Sequence, residues 1–170
     1  MHRIVVSDTT AITHLAKINA LHILKCLYHE ILIPDAVYNE LTKAKKTQPG
    51  ALEVINASWI KVTPIKNQII AAKLKAGLDL GESEAIALAI EQNADLLIID
   101  ERKGRIVAKP LVHNIIGMAG ILLEAKKAGI ISAVEPYIIQ LKNTGFRMHN
   151  DVFDFILNQA GERNSSAHSK

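Results

Sequence analysis

The sequence predicts an α/β fold, a parallel sheet with helices on both faces, extended at its carboxyl end by helices alone. Short aliphatic runs, among them residues 3–7 and 96–99, alternate with longer stretches of helical periodicity. Beyond about residue 117 only helical patterns continue. Of the 170 residues 49% are hydrophobic but only 4% aromatic, so the core must be built from Ile, Leu, Val and Ala.

Residues 3–7 are short, β-branched and apolar, the pattern of a strand buried on both faces. A helix follows from Thr9 or Thr10 to about Lys17, with Ile12, Leu15 and Ala16 on one side. Residues 20–27 give a second short helix, and 30–33 a strand stopped by Pro34. Pro34 and Asp35 open a helix carrying Val37, Glu40 and Leu41; proline suits a first turn and aspartate suits the helix dipole. The polar stretch 43–49 reads as a loop, 51–57 as a weak helix, and the alternation over 59–63 as a strand near an edge. Helices are expected over 65–76, ending at Gly77, and over 82–92 behind Gly81. Residues 95–99 form the strand that delivers Asp100. A basic amphipathic helix over 101–108 and a short strand over 110–112 come next. Helices over 117–127, 134–142 and 152–160 follow, with Gly129 and Gly145 as stop signals. The organisation is a single domain over 1–160, its core at about 3–110 and a helical extension at about 117–160. A polar, flexible tail is expected over 161–170.

Composition removes several function classes. One cysteine, Cys26, allows neither an intrachain disulfide nor a cysteine-rich zinc site. The seven histidines show no HxxxH or HExxH spacing. There is no P-loop, no dinucleotide fingerprint and no GxSxG elbow, and the sparse pair Gly117 and Gly120 is better explained by helix packing or turn geometry. Neither a signal-peptide core nor an apolar run of the ~20 residues that span a bilayer is present, so a cytoplasmic protein without membrane contact is expected. A net charge of +3 is compatible with a nucleic-acid partner and does not by itself indicate one.

Four acids carry the chemistry: Asp8, Glu40, Glu82 and Asp100. Asp8 and Asp100 each end an expected strand, and open α/β sheets bind ligands at the carboxyl edge. Carboxylates gathered there repel unless a cation joins them, which points to a divalent metal. Each acid also has a plainer reading. Asp8 and Asp100 could cap the helices that follow, and Glu40 and Glu82 could be ordinary helix residues, the latter serving the dipole. Asp79, Glu84 and Glu101 are close enough in sequence to compete for a place. Ser7, Thr9 and Thr10 offer hydroxyls to a substrate or a water, although capping explains them as well.

Cations flank these acids. Arg102, Lys103, Arg105 and Lys109 follow Asp100, and Lys45 and Lys46 follow the Glu40 helix, with Arg147 a further candidate. Such runs are either solvated faces or holds for a phosphate backbone beside a metal.

At this point the chain resembles a PIN-domain nuclease. The matching pieces are Ile4-Val-Val-Ser-Asp-Thr-Thr10, Ile33-Pro-Asp-Ala-Val-Tyr-Asn-Glu-Leu41, Leu80-Gly-Glu-Ser-Glu-Ala-Ile-Ala-Leu-Ala89 and Leu96-Leu-Ile-Ile-Asp100. They stand in the family's order over roughly residues 3–110. The likeness extends to the prokaryotic subgroup allied to VapC-type toxins through the run 116–129 and the segment Gly145-Phe-Arg147. The resemblance implies a three-layer α/β/α PIN-like domain, an acidic Mg²⁺ or Mn²⁺ site and cleavage of RNA phosphodiesters. By motif position Asp8, Glu40, Glu82 and Asp100 match the first to fourth acids, with Thr9, Thr10, Glu84 and Glu101 around them. Two departures stand out: the third acid is Glu where the family often has Asp, and Ile98 stands where many relatives have Thr.

The expected activity is therefore a metal-dependent endoribonuclease, and one role the resemblance implies is the toxin of a toxin–antitoxin pair with a small antitoxin partner. The alternative is a catalytically weak or inactive PIN scaffold that binds RNA or a protein. A phosphate-accepting receiver module ranks last, because no second Asp adjoins Asp8 and no late-strand Lys is convincing. The apolar faces of residues 11–27 and of the carboxyl-terminal helices suit a homodimer, an antitoxin groove or simply the core.

Overall fold

The computed structural model describes residues 2–43 and 50–163. Five strands form one sheet: β1 (Val5–Ser7), β2 (Ile31–Ile33), β3 (Ile60–Val62), β4 (Leu96–Ile98) and β5 (Ile115–Ile116). Every neighbouring pair is parallel, in the order β3-β2-β1-β4-β5. The first strand is thus central. The chain builds outward on one side through β2 and β3, then crosses back to place β4 on the other side of β1. That reversal opens a crevice between the carboxyl ends of β1 and β4, the position where doubly wound sheets bind ligands.

Side-chain alternation sorts the core onto two faces, as a two-residue period requires. Val5, Ile31, Ile33, Leu96 and Ile98 face one apolar cluster, whereas Val6, Leu97 and Ile99 face another. The first cluster is completed by α1 (Thr9–Lys17), α2 (His22–Tyr28), α3 (Asp35–Lys43) and α4 (Ala51–Asn56). The carboxyl-terminal helices α8 (Met118–Lys127), α9 (Glu135–Asn143) and α10 (Asn150–Gln159) join the same cluster through residues such as Met118, Ile121, Ile138 and Ile156. The faces of residues 11–27 considered for a partner are accordingly core: Ala11, Ile12, Leu15, Ile23 and Leu24 are fully buried. The opposite face is covered by α5 (Gln68–Lys75), α6 (Leu80–Glu91) and α7 (Arg102–Ala108). From Ala85 to Ala89 every residue of α6 is buried, so this helix is enclosed by its neighbours. A three-layer α/β/α sandwich results.

Several local expectations are corrected. Residues 110–112 are a turn and not a strand; Leu111 and Val112 donate to the Ala108 carbonyl, closing α7, and the last strand is the apolar pair Ile115–Ile116. The helix expected from residue 65 starts at Gln68. Asn67 caps it by accepting the Ile69 and Ile70 amides, while Glu91 holds the Lys66 and Asn67 amides outside the helix. Glu162, placed by its sequence in a flexible tail, is tied down instead. Its carboxylate accepts the amides of Val134 (2.6 Å) and Glu135 (2.9 Å) and pairs with Lys126 (2.9 Å). Most of the loop expected over 43–49, with Lys45 and Lys46, lies outside the described residues.

Candidate metal centre

Asp8 is the innermost acid. Register pairs Ser7 with Ile98, and the Asp8 amide continues the ladder by donating to the Ile98 carbonyl at 3.0 Å. The backbone then turns into α1, with Asp8 in the N-cap position but making no side-chain cap bond. Only 1% of the residue is exposed, and among the described residues neither carboxylate oxygen has a hydrogen-bond partner. Burial, then the charges of Asp100 and Glu82, push its pKa up to about 8. The Thr10 and Ala11 amides oppose this slightly, from positions short of ordinary hydrogen-bond geometry. A buried carboxyl in this state requires a proton or a cation. Capping alone therefore does not account for Asp8.

Glu82 enters from the first turn of α6. Asp79 caps that helix, accepting the Glu82 amide at 2.8 Å while Glu82 accepts the Asp79 amide at 3.3 Å, a reciprocal capping box. Glu82 is 7% exposed. Burial first, then the Asp79 charge, then the neighbouring Glu101 carboxyl, raise its pKa to about 7. Carboxylate oxygens of Asp79, Glu82 and Glu101 lie within 4.8 Å of one another, a spacing that one cation can bridge. Among the described residues Glu82 links this outer group to the inner pair Asp8 and Asp100. In the sequence Asp79 is only a competitor for the site, and its signal is the Asp-x-x-Glu spacing of a capping box.

Asp100 is half-buried at the end of β4. Its Oδ1 accepts the Met118 amide, the first residue of α8, at 2.8 Å. A Cβ at residue 117 would fall 2.7 Å from that same oxygen and 2.5 Å from an Arg105 guanidinium nitrogen, so Gly117 is what lets both groups reach the crevice. Gly120 answers the packing expectation, as a Cβ there would meet Ile116 at 2.6 Å.

Glu40 stands at the rim. It is exposed, and it accepts the Thr9 hydroxyl at 2.5 Å and the Gly81 amide at 3.1 Å, joining α3, α1 and α6 at their crevice ends. Glu84 points elsewhere: its Oε2 accepts the Ala36 amide at 2.9 Å, in the first turn of α3. Thr10 contributes its backbone beside Asp8. Of the cations, Arg102, Lys103 and Lys109 are exposed on or just after α7, whereas Arg105 is half-buried and donates to the Ile99 carbonyl at 3.2 Å.

Asp8, Glu82 and Asp100 thus converge on one crevice, with Asp79 and Glu101 adjoining and Glu40 docked at its edge. Among the described residues the gathered donors are hard carboxylate oxygens, which suit Mg²⁺, Mn²⁺ or Ca²⁺ more than zinc. The DUF3368 family model, described as a PIN domain, matches residues 4–162. No curated protein matches the chain.

Proposed function

Because this chain belongs to the PIN-domain family, whose members are generally nucleases, we propose that it is a metal-dependent endoribonuclease that hydrolyses RNA phosphodiester bonds. The observation that carries this reading is Asp8, fully buried, with both carboxylate oxygens unpartnered beside two further acids. An inactive scaffold gives no reason to maintain that costly arrangement.

Asp8, Asp100 and Glu82 are the residues that would hold Mg²⁺ or Mn²⁺, with Glu40, Asp79 and Glu101 completing the acidic surround. A divalent cation so held supplies Lewis-acid polarisation of a phosphate oxygen and makes water more acidic. The protein contributes position and charge. The Met118 amide fixes the Asp100 carboxylate, and the capping box fixes Glu82. Without a cation Glu82, raised to about 7, takes up a proton near neutral pH, so a cation held there would displace that proton. Arg105, held by the Ile99 carbonyl, places a fixed positive charge where a phosphate would sit. Arg102, Lys103 and Lys109 extend that charge along α7.

The motif likeness to VapC-type proteins supports a toxin as the biological role, with a small antitoxin as partner. The experiment is to incubate the purified protein with a mixed RNA pool in Mn²⁺ or in EDTA, beside its Asp8→Asn variant. Cleavage in Mn²⁺ alone, lost in the variant, is the expected result. Equal cleavage by the variant would overturn the assignment of the site.

A further inference from the structure

A cleft of about 930 Å³ opens beside Asp100, between α7, the start of α8 and segment 146–152. Its size lies within the roughly 300–1,000 Å³ of small-ligand pockets. One end is the acidic crevice, through Asp100 and Glu101. The rim carries Arg102, Arg105, Lys109 and Arg147. The wall is apolar, formed by Ile106, Ile116, Phe146, Met148 and Val152, of which Ile106 (63%) and Val152 (44%) are strongly exposed. None of the four rim cations has a salt-bridge partner among the described residues. Exposed Ile106 and Val152 beside cations without carboxylate partners, next to the acidic crevice, match the two chemistries of a nucleotide: an anionic phosphate and a flat apolar base.

We propose that this cleft seats one unpaired nucleotide flanking the phosphate to be cut, so that segment 146–152 determines which RNA is cleaved. The proposal rests on the nuclease reading for the phosphate's position. The base lies against Met148 and Val152 while Arg147 and Arg102 hold phosphate. A base can enter only if it is unstacked from its neighbours, which a base-paired A-form helix does not permit.

The test measures binding in EDTA, where no cation supports cleavage, by fluorescence anisotropy. The probes are a labelled unstructured octaribonucleotide and the same strand in a duplex. Val152→Trp fills the cleft from an exposed position, and Arg147→Ala removes an exposed rim cation; thermal melts verify that both fold. The expected result is preference for the single strand, with affinity at least ~5-fold weaker in Val152→Trp, whose indole takes the base's place, the loss of roughly 40 Å² of apolar burial. Arg147→Ala should flatten the slope of log K against log salt by ~0.7, one single-strand phosphate contact. Should Val152→Trp fail to fold, the salt slope of Arg147→Ala decides alone. If the wild type cuts RNA in Mn²⁺ and both variants bind and cut as it does, the cleft proposal falls and the nuclease reading stands. If nothing is cut but both variants lose single-strand binding, the nuclease reading falls and the cleft stands.

Discussion

The Glu40 carboxylate occupies the space that a side chain on residue 81 would need: it accepts the Gly81 amide at 3.1 Å, and a Cβ there would lie 2.6 Å from Glu40 Oε1. The obstructing atom is the end of a flexible side chain, so Gly81→Ala should fold. Alanine also favours the helix by ~1 kcal/mol over glycine. Glu40, however, must swing away from α6 and from Thr9. Gly81→Ala is expected to keep or raise the melting temperature while cleavage falls ~10-fold or more, an effect on the order of 1.4 kcal/mol or above on the barrier. A variant with full cleavage would remove Glu40 from the site.

Asp8 gives a pH signature. Its folded pKa is raised from 3.8 to about 8, so between those values the folded chain retains a proton that the unfolded chain has lost. The Asp8 contribution to the stability of the metal-free protein is then greatest at low pH and declines as pH rises from about 4 to about 8. Glu82, raised from 4.5 to about 7, acts in the same direction. Asp8→Asn removes the larger part. In EDTA at pH 8 it should melt above the wild type, by an amount on the order of 1–3 kcal/mol. The difference should close toward pH 4. Thermal melts across that range check it, and a destabilised variant at pH 8 would contradict it.

Glu82 and Glu84 are separated by a single variant of each. Glu84→Ala loses the acceptor for the Ala36 amide and should cost about 1 kcal/mol of stability, with cleavage unchanged. Glu82→Gln should abolish cleavage and weaken Mn²⁺ uptake. Denaturant titration beside an RNA cleavage assay reads both, and the reverse pattern would exchange their roles.

At the carboxyl end, burial raises the pKa of Glu162, but bonds from the Val134 amide, Lys126 and the Glu135 amide outweigh it and leave the value lowered. A depressed carboxyl stabilises the fold above its unfolded value of 4.5, and that contribution is lost as pH falls through the lower folded value. Glu162→Ala should cost roughly 2 kcal/mol at pH 7 through its unmade hydrogen bonds. The cost should shrink under acid conditions. A pH-independent loss would mean the carboxylate charge is immaterial there.

Much of this was legible because strand ends and helix starts have local chemistry. Asp8 and Asp100 follow short aliphatic runs, and parallel strands set both at one sheet edge. What the chain could not reveal locally was long-range. Glu40 and Gly81 are 41 residues apart, and only the packing of α3 on α6 brings them together. Residues 110–112 read as a strand by apolar content, yet Pro110 brings no amide and the next two amides bond to α7. The cleft wall joins residues near 106, 116 and 148 from three elements, and no spacing pattern announces it. Glu162 looked like tail because its partners, Lys126 and the α9 amides, lie nearly thirty residues or more upstream.

The most direct test is the melting temperature in Mn²⁺ against EDTA, at pH 7.5, for the wild type and Asp8→Asn. If Asp8 is a buried cation ligand, Mn²⁺ at ~100 times its dissociation constant stabilises the wild type by ~2.7 kcal/mol, several degrees for a chain of this size, and leaves the variant almost unmoved. An equal rise in both proteins, or none in the wild type, would contradict the account.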